Sequence, residues 1–182
     1  MLTEKKKSIA ALVAILSMSI ANVVHAEAEL RLERAENDVG NVASLQRGAR
    51  NFVNYCYGCH SLQYVRYNRV EQDLGLNDEQ IKSLMFTGDR PTDKMQNAMA
   101  ASDAQHWFNK EPPDLSLIAR SRGPDYIYTF LKSFYIDPSR PTGVNNMVLP
   151  NAAMPHVLWE LLSGTELNRL LTLTSSSGSE DG

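Results

Sequence analysis

The stretch YCYGCHS, residues 55–61, holds both cysteines of the chain, and its reading decides the fold. Cys56 and Cys59 stand three apart, and His60 follows the second directly. Three chemistries use two thiols and an imidazole in this way: a redox dithiol, half of a zinc site, and a covalently attached haem. A redox dithiol normally opens a helix after a strand. Here the preceding SLQRGARNFVNYC, residues 44–56, sets Leu45, Ala49, Phe52 and Val53 at i, i+4, i+7 and i+8, one face of a helix. Ser44 is the expected N-cap of that helix, so the motif closes a helix instead of opening one. A four-cysteine zinc site is excluded by the cysteine count, and a mixed site would need His106 or His156 without the usual close second pair. Haem suits the spacing. Two thiols three residues apart reach the two vinyl groups on one porphyrin edge as thioethers, and the adjacent imidazole comes under the iron. The residues therefore assign Cys56 and Cys59 to haem attachment and His60 to an axial position.

The rest of the chain agrees with an exported protein. Its 182 residues suffice for one domain with a modest core, and 43% of them are hydrophobic. Lys5, Lys6 and Lys7 precede an apolar run, Ile9 to Val24, and Val24 and Ala26 are small residues before Glu27. This reads as a signal peptide, residues 1–26, cut after Ala26. An uncleaved anchor is the competing reading, but the run is 16 residues long and holds Ser17, Ser19 and Asn22. A membrane span takes roughly 20 apolar residues. Losing Glu4 and the three lysines with that segment moves the formal charge from −3 to −5. A mildly acidic chain disfavours nucleic acid and suits a basic protein partner.

Histidine and methionine are the usual sixth ligands of such an iron. After residue 26 the candidates are Met85, Met95, Met99, Met147, Met154, His106 and His156. Met85 shares a helical face with Ile81 and Leu84, and Met95 and Met99 have i, i+4 helical spacing, so these read as core. Met154 differs: LPNAAMPHVLW sets it between alanines and Pro155, in a stretch that Pro150 and Pro155 stiffen as a loop. It and His156 remain the two open choices. In residues 111–143, Asp114 is expected to cap one short helix that Gly123 and Pro124 stop, and Asp125 to cap the next. Ile127, Phe130, Leu131 and Phe134 form the face of that next helix. Arg120 and Arg122 are candidates for haem propionates or for an exposed helix end, and Tyr126 for the haem edge or the core.

Taken in order, SLQRGARNFVNYCYGCHSLQYVRYNRV, LMFTGDR, PPDLSLIARSRGPDYIYTFLKSFYIDPSRPTGVNN and MPHVLWEL resemble the cytochrome c1 family, in its proteobacterial form. The resemblance runs from Ser44 to Leu161 and is far more specific than the attachment motif alone. It implies a mainly α, cytochrome c-like haem domain with long inserted loops, spanning residues 27–174, and a single covalent haem c. Met154 matches the family's axial methionine, Pro113 and Leu115 the segment packed on the haem, Arg122 (with Arg120 as alternative) its propionate arginine, and Tyr126 a tyrosine beside the haem. The implied function is electron transfer within ubiquinol:cytochrome c reductase. Electrons would pass from the Rieske iron–sulfur protein to a soluble cytochrome c, with cytochrome b as a further partner, on the periplasmic side of the bacterial inner membrane. Membrane association would run through the complex.

The chain departs from the family pattern after Leu161. The closing haem-domain helix and the membrane anchor are not recognisable, and the chain ends in the polar tail SSSGSEDG, residues 175–182. TELNRLLTLT, residues 165–174, is the one candidate to stand in for the closing helix, but its ten residues fall below the ~12–15 at which an isolated helix is even marginal, so a marginally stable domain is expected. Three other readings compete: a free periplasmic haem carrier, a non-functional truncated form, and a haem enzyme or gas sensor with an open sixth position. No additional acid–base pair near the motif supports that last reading.

Overall fold

The computed structural model describes residues 31–163. The expected signal peptide, the stretch 165–174 and the polar tail lie outside the described residues. The architecture is mainly α, as expected, with two small antiparallel sheets.

Helix α1, Val42–Tyr55, carries the expected apolar face, with Leu45, Ala49, Phe52 and Val53 partly buried. Its cap is not Ser44. The Asn41 side-chain oxygen accepts the Ser44 N–H at 3.1 Å, which puts Ser44 in the first turn as the capped residue. The helix ends in a tight turn, in which the Phe52 carbonyl accepts from both Cys56 and Tyr57 at 2.9 Å. Strand β1, Leu62–Arg66, follows, then α2, Tyr67–Leu74, which stops at left-handed Gly75. Helix α3, Asp78–Leu84, opens with a reciprocal capping box between Asn77 and Gln80. Met95 is not helical: it lies in β2, Lys94–Met95, paired with Leu62 of β1, and Met99 lies in irregular chain. Pairing with a strand some thirty residues earlier overrides the local i, i+4 pattern.

Helix α4, Ala101–Phe108, ends at left-handed Asn109. Asp114 caps no helix, because its oxygens are used elsewhere: Oδ1 accepts from Ser116 N at 2.9 Å and Oδ2 from Gln63 N at 2.8 Å. Helix α5, Ile118–Arg122, begins after Leu117, and α6, Pro124–Lys132, has Gly123 at its N-cap with Pro124 leading. Asp125 is therefore inside the first turn, and its carboxylate accepts Ala35 N–H at 2.8 Å. Phe134, expected on the α6 face, belongs to β3, Phe134–Ile136, which pairs in register with β4, Val144–Asn146. A single 3-10 turn, Trp159–Leu161, follows the last loop.

Two buried groups hold these elements. Tyr57, Tyr67, Ile81 and Met95 form one, with Phe52, Val53, Leu62 and Val70 packed on it. The Tyr57 and Tyr67 hydroxyls bond each other at 2.7 Å, and Tyr57 also reaches Thr87 and the Gln96 carbonyl, so neither phenol is buried unpaired. Burial pushes the Tyr57 hydroxyl pKa up. In the second group Phe134 packs edge-on to Phe130 with centroids 5.3 Å apart. Among the described residues, no helix is long and apolar enough to cross a membrane.

Ile81 is 1% exposed at the centre of the first group. Ile81→Ala should therefore cost about 2–5 kcal/mol in denaturant unfolding of the whole chain. Gly123 sits at φ 86°, ψ 155°, a region open essentially to glycine. Gly123→Ala should cost about 1–3 kcal/mol through backbone strain, since space for the methyl group is not the obstacle. Unchanged midpoints would refute these two assignments.

Candidate functional site

The segment 59–61 is pinned by chain from two later regions. His60 is 8% exposed, and its Nδ1 lies 2.7 Å from the Pro113 carbonyl oxygen. A carbonyl only accepts, so Nδ1 carries a proton and donates, and in the neutral ring the lone pair is on Nε2. Next along, Ser61 O accepts Leu115 N–H at 2.9 Å. Ser61 Oγ accepts Asn97 N–H at 2.9 Å, and the Asn97 amide donates to the Cys59 carbonyl. The 114–116 turn is itself fixed to β1, since Ser116 Oγ accepts from Tyr64 N at 3.1 Å. Burial raises the Asp114 carboxyl, but hydrogen bonds from Ser116 and Gln63 outweigh it and hold the group below the ordinary carboxylate range.

These restraints form one wall of a cleft of about 490 Å³. Tyr55, Cys59 and His60 line it from the motif, and Phe108, Lys110, Pro112 and Pro113 from the segment after α4. The remaining side is Ala153, Met154, Pro155 and Val157. The lining is predominantly apolar, as in small-molecule sites.

The Met154 loop is shaped by two asparagines that sequence reasoning missed. Asn146 is fully buried; its Nδ2 donates to Phe130 O at 2.8 Å, and its Oδ1 accepts from Val148 N and Leu149 N. Asn145 Oδ1 accepts from Asn151 N at 2.8 Å, closing the loop three residues before Met154. The available signal was the pair itself: two amides in a strand position, where asparagine is otherwise disfavoured.

Cys59, His60, Met154 and Pro113 thus share one cleft. Cys56 is half-buried at the C-cap of α1, just off the lining, and both cysteines are free thiols whose pKa burial pushes up. Leu115 supports the wall through its backbone. Arg120 and Arg122 are exposed on α5 and line no part of the cleft. The Arg122 guanidinium lies 5.3 Å from the Tyr126 ring centroid, and Tyr126 stacks on Phe130. His156 turns away from the cleft and stacks on Phe134 at 4.8 Å, and burial lowers its pKa.

This donor set fits a porphyrin better than a bare ion. Among the described residues no group of three or more His, Cys, Asp or Glu side chains could hold a metal alone. One imidazole with a free lone pair, one thioether, two free thiols and an apolar slot match the needs of a covalently attached haem. Fold and site together define a c-type haem domain.

The Cytochrome C1 family model matches residues 37–163, and the chain belongs to that family, whose haem is covalently attached. The chain is 53% identical over 131 residues to a cytochrome c1 of Allochromatium vinosum, covering 71% of this chain and 54% of that one. It is 45% identical over 134 residues to a protein of Nitrosomonas europaea named ammonia monooxygenase gamma subunit, covering 73% of this chain and 57% of the relative. A cytochrome c1 of Rhodospirillum rubrum is 34% identical over 118 residues, covering 53% of this chain and 43% of the relative. The chain thus spans about half the length of the curated relatives it matches.

Among the described residues, the Asn97 amide is the side chain that grips the Cys59 carbonyl. Asn97→Ala should lower stability by about 1 kcal/mol and speed amide exchange at residues 59–61, measured by unfolding and hydrogen exchange. Unaltered exchange there would show that the grip is not needed.

Proposed function

We propose that this chain is the haem-bearing, electron-transferring part of ubiquinol:cytochrome c reductase. The observation that carries the reading is the meeting of Cys59, His60 and Met154 on one apolar cleft. Cys56 and Cys59 would hold haem c as thioethers, and His60 Nε2 and Met154 Sδ would ligate its iron. When bound, haem c supplies a one-electron iron couple.

The chain's own residues set that couple. Donation from His60 Nδ1 to the Pro113 carbonyl fixes the ring plane and tautomer. Met154, set in a loop whose turns Asn145 and Asn146 fix, presents a soft sulfur that favours the reduced iron and raises the potential. Pro112, Pro113, Phe108 and Val157 exclude water, which limits the reorganisation that accompanies a change of charge. No acid–base machinery is required, because the chain moves an electron and not a proton.

By this reading the donor is the Rieske iron–sulfur protein and the acceptor a soluble cytochrome c. Cytochrome b is the membrane partner, and the setting is the periplasmic side of the inner membrane. The similarity to the Allochromatium vinosum and Rhodospirillum rubrum cytochromes c1 supports it. A second reading follows from the Nitrosomonas europaea relative: the same haem domain as a subunit of an ammonia monooxygenase. Co-purification separates them, since the first requires cytochrome b and a Rieske protein in the isolated complex.

Two outcomes test the site. Mass spectrometry of the chain matured in a host with haem-attachment machinery should give the chain plus one haem. A bare polypeptide mass would refute the attachment. Met154→Leu should keep the haem attached, remove the thioether–iron charge-transfer band and lower the reduction potential. A band and potential like those of the unaltered chain would move the sixth position elsewhere.

A further inference from the structure

We propose that Asp114 is a positioning residue that holds the haem potential down: its carboxylate fixes the turn that presents the Pro113 carbonyl to His60, and its negative charge favours the oxidised iron. This rests on the haem reading above. The turn is built around the carboxylate. Oδ1 accepts from Ser116 N at 2.9 Å, within the turn, and Oδ2 accepts from Gln63 N at 2.8 Å, across to β1. Gln63 lies three residues beyond His60, and Pro113 directly precedes Asp114. The carboxylate thus closes a small ring of chain. The other closures of that ring are Leu115 N to Ser61 O at 2.9 Å and His60 Nδ1 to Pro113 O at 2.7 Å. Asp114 does not line the apolar cleft, so it acts through His60.

The charge is a second effect of the same group. Asp114 is half-buried, and among the described residues no ion pair engages it. Its hydrogen-bond donors are neutral, and they hold an ionised carboxylate without cancelling its charge. Burial alone would raise the carboxyl, but the bonds from Ser116 and Gln63 prevail, and His60 is close enough to act on it electrostatically. Oxidation adds one positive charge to an iron bound at His60. An anion held beside that ligand stabilises the oxidised state, and a half-buried anion is screened less than a surface one. The carboxylate therefore opposes the rise in potential that methionine ligation brings.

The test is a redox titration of the whole haem-loaded chain and its variants, read beside hydrogen exchange at Gln63 and Ser116. Asp114→Asn keeps the size and loses the charge, so the potential should rise. It also leaves one of the two amides without an acceptor, and that amide should exchange faster. Asp114→Glu keeps the charge but not the length. Exchange should quicken, while the potential stays nearer to that of the unaltered chain than in Asp114→Asn. Asp73→Asn, which removes a surface carboxylate on α2 paired with Arg69, should leave the potential in place. A haem-loaded Asp114→Asn whose potential is unchanged or lower overturns the proposal. So does an Asp114→Glu that shifts as far as Asp114→Asn, because packing alone would then explain the effect. Unquickened exchange in both variants overturns it as well. If Asp114→Asn does not fold, Asp114→Ser replaces it, since a hydroxyl accepts in the same kind of turn, and an unraised potential there overturns the proposal. A chain whose mass shows no covalent haem removes the haem reading itself, and this inference with it. An attached haem with an unraised potential removes this inference alone.

Discussion

The hydrogen bond between His60 Nδ1 and the Pro113 carbonyl joins the two walls of the site. One wall is local: α1 delivers the motif and then turns sharply. The other comes from chain more than fifty residues later. With the imidazole held to that later segment, Leu115 can pair with Ser61, and the 114–116 turn can lie along β1. The same bond decides which ring nitrogen faces the cleft. A single polar contact therefore sets a tertiary closure and a tautomer together.

The motif works because its residues face opposite ways. Tyr57, between the cysteines, is fully buried and bonded to Tyr67, while Cys59 and His60 face the cleft. The hydroxyl knot of Tyr57, Tyr67 and Thr87 anchors the turn from beneath, and Asn97 anchors it from the side. For the proposed redox site such fixation matters, because small motions of its ligands would cost reorganisation energy. The Met154 side is treated similarly, with a loop whose turns are set by amides from β4 and not by apolar packing alone.

Much of this was legible in sequence where the signal was local. The α1 face, the motif at its end and the loop character around Met154 follow from spacing and proline placement within a dozen residues. The misreading of Ser44 was local, and the others share a cause: a distant partner overrode a local pattern. Ser44 looked like a cap until Asn41 supplied the oxygen. Met95 and Met99 have helical spacing, but Met95 pairs with Leu62. Asp114 and Asp125 look like caps, yet each spends an oxygen on a backbone amide far away in sequence.

The segment ahead of α1 is clasped to α6 mainly through its backbone. Glu33 N–H donates to Thr129 Oγ1 at 2.8 Å and Ala35 N–H to Asp125 Oδ1 at 2.8 Å. Lys132 adds an ion pair to Glu33, on a partly exposed surface where such a pair contributes little. The two sides of this clasp therefore carry unequal mutational freedom. Any residue with a backbone N–H can serve at 33 or 35, and proline alone is barred. At 125 and 129 the acceptor is a side chain of fixed length, and there the choice of residue is narrow.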